Sequence, residues 1–105
     1  MDLFGGDSEP TALFAGQNLI TYGTVRALRR LGRERTVALV GFDDFALADL
    51  LVPAVTVVAQ DPDALGQAAA ERLLARIEGD DSPPQVIVVP TRLVPRGSGE
   101  LLLRR

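Results

Sequence analysis

The chain has 105 residues, a formal net charge of −3, and neither cysteine nor histidine. Without cysteine there are no disulfides, thiolate metal sites or thiol nucleophiles, and without histidine the commonest general base and metal ligand is missing. Hydrophobic residues reach 47%, as in a globular chain, and a single domain spanning 1–105 is expected. At this length it buries only about two-thirds of its unfolded surface, too little for a two-lobed architecture.

The amino-terminal stretch Met1 to Pro10 carries Asp2, Asp7 and Glu9 and lacks the basic and apolar regions of a signal peptide. No segment is long and apolar enough to cross a bilayer, so a cytoplasmic location with no membrane contact is expected. Thr11 to Ala15 reads as a short buried strand between Pro10 and Gly16. Asn18, placed as an N-cap, opens a helix through Ile20, Thr24, Val25, Leu28 and Leu31. Arg29 and Arg30 oppose the dipole at its far end and Gly32 closes it.

Thr36 to Phe42 is a nearly continuous apolar run that suits a central parallel strand buried on both faces. It stops at Asp43 and Asp44, after which Phe45 to Leu51 is expected as a short helix ahead of Pro53. Val55 to Ala59 makes a third strand. Asp61 as N-cap and Pro62 as N1 start a second helix to about Glu78, with Leu65, Ala69, Leu73 and Ile77 along one stripe and Gly79 as its stop. A polar loop, Asp80 to Gln85, leads to a fourth strand at Val86 to Val89 and a short fifth at Arg92 to Val94. Alternating strands and helices predict an α/β fold with a mostly parallel sheet in βα units.

In such a sheet, ligands bind beyond the carboxyl ends of the strands. Polar pairs follow each of the first three: Gln17 and Asn18, Asp43 and Asp44, Gln60 and Asp61. Capping is the simpler role for Asn18 and Asp61. Gln17, Asp43 and Gln60 are instead candidates for binding hydroxyls or amides, placed to share one rim. Asp43 is the strongest, because a carboxylate accepts two charge-assisted hydrogen bonds and so suits vicinal sugar hydroxyls. A divalent cation held by Asp43 and Asp44 is the competing role, but a hard-ion site needs more carboxylates than this region offers.

No dinucleotide or phosphate-loop glycine motif is present, and no nucleophile elbow. Neither a metal, a cofactor nor an enzymatic activity is expected. Arg26, Arg29, Arg30, Arg33 and Arg35 form the densest basic stretch, but helical spacing scatters them, and Glu34 dilutes them. They read as a solvated face rather than a nucleic-acid surface.

Several blocks in a fixed order resemble one family. Pro10-Thr11-Ala12-Leu13-Phe14-Ala15 precedes Gln17-Asn18-Leu19, then Ala27-Leu28 and Leu31-Gly32, then Val40-Gly41-Phe42-Asp43-Asp44. Pro53, Thr56, Val57, Gln60, Leu65, Gly66 and Ala69 follow, and Pro90-Thr91-Arg92-Leu93-Val94 with Arg96-Gly97-Ser98 closes the series. Together they are similar to the carboxy-terminal part of lactose/galactose-repressor-type transcriptional regulators. Leu93 to Ser98 also spells a thrombin-cleavage linker, but the family's similar ending favours a native segment.

The resemblance implies a periplasmic-binding-protein-like lobe, and regulators whose two lobes close on a small effector, usually a sugar or a purine. An amino-terminal helix-turn-helix headpiece would bind an operator as a dimer. By the same resemblance Asp43 is an effector contact, Gln17 and Asn18 stand where the family usually has Asn-Asp, and the Leu19 to Leu31 helix with Leu47 to Ala54 matches the dimerisation surface. The headpiece, hinge and most of the first lobe find no counterpart here, so DNA contact is expected only through the absent headpiece. The second helix would then lose its apolar cover, which predicts a homodimer or a domain-swapped oligomer. A fragment of a sugar-binding transport protein is the alternative, since it shares the fold.

Overall fold

Four strands form one sheet in the order β1-β2-β3-β4 in the computed structural model, which describes residues 9–102. Strands β1 (Ala12–Ala15), β2 (Ala38–Phe42) and β3 (Thr56–Ala59) run parallel, while β4 (Arg92–Val94) lies antiparallel to β3. The register pairs Phe14 with Val40 and Val40 with Thr56, so the carboxyl ends of β1, β2 and β3 open on one edge of the sheet. The described residues divide into two compact units, residues 9–59 with 92–102, and residues 60–91. The reading of Met1 to Ser8 lies outside the described residues.

In the first unit, helix α1 (Asn18–Arg30) returns the chain from β1 to β2 and buries Thr21 and Leu28. Gly41 makes the approach of α1 to β2 possible. A β-carbon there would lie 2.6 Å from Thr21 Oγ1 and 2.8 Å from its Cγ2. Gly32, at φ +68°, ends the helical course in the left-handed conformation that glycine adopts at little cost. The core comprises Ala15, Leu28, Val37, Leu39, Ala48, Val55, Val57 and Ala59, with Leu13, Val25, Phe45, Leu51 and Val94 packed against it.

Several details of the first unit differ from the sequence expectation. Strand β1, expected to be buried, lies at one end of the strand order and buries only Ala15, with Ala12 and Phe14 exposed. Residues of β2 alternate between half-buried and buried instead of being covered on both faces. The stretch expected as a helix over Phe45 to Leu51 is a pair of tight turns, Ala48 N–H to Phe45 O at 3.1 Å and Leu50 N–H to Leu47 O at 3.0 Å. The turns bury Ala48 completely, and Pro53 ends the segment. Asn18 is not the N-cap: Gln17 holds that position, and its side chain makes no capping hydrogen bond. Thr21 supplies the local tie, its backbone N–H (2.8 Å) and its hydroxyl (3.0 Å) both donating to Gln17 O.

The segment after β4 is bound into this unit. Ser98, which is buried, donates its hydroxyl to Leu39 O at 2.6 Å and accepts Thr56 N–H at 2.9 Å. The buried Thr56 hydroxyl accepts the backbone N–H groups of Arg96 and Gly99, each at 3.1 Å, and donates to the Glu100 carboxylate at 2.9 Å. The run that spells a cleavage linker is thus integral to the fold.

The second unit consists of helix α2 (Pro62–Ile77) and the extended chain after it. Asp61 caps α2 as expected, accepting Ala64 N–H at 3.0 Å, and Gly79 follows its end at φ +105°. Arg72 pairs with Asp80 at 3.1 Å, and Asp80 also accepts Ser82 N–H at 2.9 Å. The Ser82 hydrogen bonds, ahead of the Arg72 charge, lower the Asp80 pKa to about 2. No residue of α2 is buried. The fourth strand expected over Val86 to Val89 does not form. Among the described residues no strand pairs with it, and Pro83, Pro84 and Pro90 at its ends lack an N–H.

Replacing Gly41 with alanine forces a β-carbon into Thr21 and lowers stability by about 1–3 kcal/mol, the usual cost of overpacking. Urea denaturation followed by circular dichroism checks this; an unchanged midpoint contradicts the close approach of α1 to β2.

Candidate functional site

Residues that follow parallel strands are free to serve a ligand only if the fold does not already use their side chains. Gln17, two residues past β1, has extended backbone (φ −159°, ψ 151°) and an exposed side chain. Asn18 is the first residue of α1 and half-buried. Neither amide side chain makes a hydrogen bond with the described residues, so each keeps its donors and its acceptor.

The two carboxylates after β2 differ sharply. Asp44 meets Arg96 in a two-pronged ion pair, Nη1 to Oδ1 and Nη2 to Oδ2, each at 2.8 Å. Its Oδ1 also accepts the N–H of Phe45 at 2.9 Å. The hydrogen bond from Arg96 holds the Asp44 carboxyl below its ordinary pKa of 3.8, against the opposing effect of burial and with help from Phe45 N–H and the charges of Arg96 and Arg92. The same partnership raises the Arg96 guanidinium.

Asp43 stands apart. Its backbone is at φ +82°, the one positive φ among the described non-glycine residues, and its N–H donates to Val58 O at 2.7 Å. Its carboxylate makes no hydrogen bond or ion pair with the described residues. A non-glycine residue in the left-handed region costs of order 1 kcal/mol and persists where neighbours over-determine it, as they often do at functional sites.

Parallel pairing of β1 with β2 places Gln17, Asn18 and Asp43 beyond the same edge of the sheet. Gln60 immediately follows β3 in the chain and is the first residue of the second unit. The cation alternative for the acidic pair meets a chemical obstacle, because the Asp44 oxygens already face a guanidinium. Among the described residues no group of three or more acidic, histidine or cysteine side chains gathers where a metal would need them. Much of the basic stretch on and after α1 is engaged within the first unit. Arg26 lies over the Tyr22 ring at 5.8 Å, Arg29 donates to Val52 O at 3.2 Å, and Arg33 pairs with Glu9.

Sequence reasoning missed the role of Arg96, noting it only as part of a closing block. Asp44 and Arg96 are 52 positions apart, and no local pattern joins them. A paired acidic dipeptide followed much later by a single arginine in a Pro-Arg-Gly-Ser run was the only available signal.

Residues 2–99 match the periplasmic binding protein-like domain. The transcriptional regulator PtxS of Pseudomonas aeruginosa is 38% identical over 91 residues, which are 85% of this chain and 27% of that protein. The repressor PurR of Escherichia coli is 36% identical over 91 residues, with the same shares. This chain therefore spans about a quarter of the length of these curated relatives. Among solved structures, a LacI transcriptional regulator from Bacillus cereus subsp. cytotoxis superposes with a TM-score of 0.85 at 29% identity, over 95% of this chain and 36% of that one. A LacI family regulator from Enterococcus faecium with bound ribose gives 0.77 at 28% identity, over 91% and 37%. Another from Arthrobacter sp. FB24, in complex with lactose, gives 0.71 at 30% identity, over 86% and 35%. Fold, ordered motifs and relatives agree: the chain belongs to the lactose/galactose-repressor (LacI/GalR) family of transcriptional regulators and carries part of their periplasmic-binding-protein-like effector-binding domain.

Proposed function

We propose that this chain binds a small polyhydroxylated effector, a sugar, at the carboxyl edge of its parallel strands, with Asp43 as the principal contact and Gln17 and Asn18 beside it. The observation that carries this reading is Asp43 itself: a strained backbone holding a carboxylate that has no partner among the described residues, next to an aspartate whose carboxylate is fully engaged. An ionised carboxylate accepts hydroxyl protons at fixed geometry, and amide side chains both donate and accept, which matches the alternating needs of sugar hydroxyls. The ribose and lactose in the two similar regulators support the same ligand class. Gln60 keeps its proposed role on chain order alone. The role is recognition without catalysis, in a cytoplasmic regulator like the helix-turn-helix relatives, with DNA contacted through parts of the protein other than these residues.

The same chain would supply a self-association surface. On α1 and just beyond it Leu19, Ile20, Tyr22 and Leu31 are exposed, and in the following turns so are Leu47, Leu50 and Val52, with Leu19 and Leu50 at 73% and 72%. Apolar surface of this kind on one small unit favours association.

Isothermal titration against ribose, lactose, cellobiose and nucleobases tests the first claim. Binding of at least one sugar is expected, weakened about tenfold or more by Asp43→Ala, as loss of charge-assisted hydrogen bonds implies. Unaltered affinity in that variant refutes the site. For the second claim, size-exclusion chromatography with light scattering is expected to show a dimer or a swapped oligomer, shifted toward monomer by Leu19→Glu. A clean monomer of the unsubstituted chain at high concentration counts against it.

A further inference from the structure

Asp43 requires an explanation that its own residue type does not provide. Aspartate tolerates positive φ better than most residues, but tolerance does not select the conformation. Something on either side has to hold the turn. On the amino side the Asp43 N–H is tied to Val58 O across the β2–β3 ladder. On the carboxyl side the chain passes directly into Asp44, whose carboxylate is gripped from outside the turn by Arg96.

That grip is well anchored. The Arg96 side chain is 18% exposed, and its Nη1 also donates to Val55 O at 3.1 Å. Its backbone N–H is bound by the buried Thr56 hydroxyl at 3.1 Å. Two residues on, Ser98 fastens the same segment to Leu39 O and Thr56 N–H. The guanidinium is therefore carried on a platform fixed to both β2 and β3, the strands whose ends define the edge. Its planar fork meets both Asp44 oxygens at once, a geometry that restricts orientation as well as distance. With Phe45 N–H on Oδ1 as well, the Asp44 side chain closes back on its own turn.

We infer that Arg96 is a positioning residue for the effector-contact edge: by holding Asp44 with both nitrogens it sets the turn in which Asp43 stands left-handed, its carboxylate unpaired among the described residues. The functional meaning of this role rests on the reading of Asp43 as an effector contact, but the conformational role is measurable without any ligand. It differs from that of an ordinary surface ion pair, which contributes little and fixes no neighbour. Charge alone is not enough; a lysine at position 96 keeps the charge and loses the fork.

Amide hydrogen exchange by NMR on the full chain decides the matter. In Arg96→Lys the Asp43 amide is expected to exchange about tenfold faster or more, through local opening, while the Leu39 amide keeps its rate. The coupling between the Asp43 amide and α protons should change with it. Equal acceleration of both amides means that Arg96 acts only on global stability, and an unchanged Asp43 rate means that it does not act on the turn; either result overturns the inference. Should Arg96→Lys fail to fold, Asp44→Asn removes the same two-pronged pairing from the other side and is read identically. Sugar titration plays no part in this readout, so absence of sugar binding would defeat the functional proposal alone, and an unaltered Asp43 amide would defeat this inference alone.

Discussion

Parallel pairing of β2 with a strand on each side is the constraint from which the rest follows. Parallel strands need crossover connections, and here α1 supplies the first, packed so closely on β2 that position 41 has no room for a side chain beyond hydrogen. Because β1, β2 and β3 all end on one edge, the residues after them emerge together. A slip of one residue in β2 would exchange its buried and half-buried faces and turn the carboxylates that follow it. The register therefore governs the chemistry of the edge as much as the core.

The adjacent aspartates show how two identical side chains acquire different tasks. Asp44 is neutralised by a fork of hydrogen bonds that favours its ionised form, so it serves the architecture. Asp43 stands in a backbone conformation few residues adopt, and its carboxylate makes no hydrogen bond or ion pair among the described residues, so it keeps its acceptor capacity. The Thr56 hydroxyl adds a second economy. Placed in β3 and fully enclosed, it gathers the N–H groups of Arg96 and Gly99, which would otherwise be left without partners near the core.

The second unit obeys more local rules. Asp61, Pro62 and Gly79 start and stop α2 through satisfied amides, fixed φ and a left-handed exit. The run Val86 to Val89 has the composition of a strand but no partner strand among the described residues, and composition without a ladder leaves extended chain. Strand identity belongs to a pair, whereas a helix closes its hydrogen bonds on itself.

That distinction explains what was legible in advance. The amino-acid sequence alone indicated the three strands, both helices, the glycine stops, the Asp61 cap and the α/β class. Helices, caps and stops depend on residues within a turn or two of one another, and the strands show as short apolar runs between turn residues, although their parallel pairing joins residues 16 and 26 positions apart. It also singled out Asp43, because a polar residue at a strand's carboxyl end is recognisable without coordinates. Tertiary structure alone decided that Asp44 belongs to Arg96, that Gln17 rather than Asn18 occupies the N-cap position, that Phe45 to Leu51 turns instead of coiling, and that Val86 to Val89 goes unpaired. The Asp44–Arg96 pairing joins residues 52 positions apart, so no pattern confined to neighbouring residues encodes it. Phe45 to Leu51 turns where it buries Ala48, and a strand forms only where another part of the chain supplies its ladder.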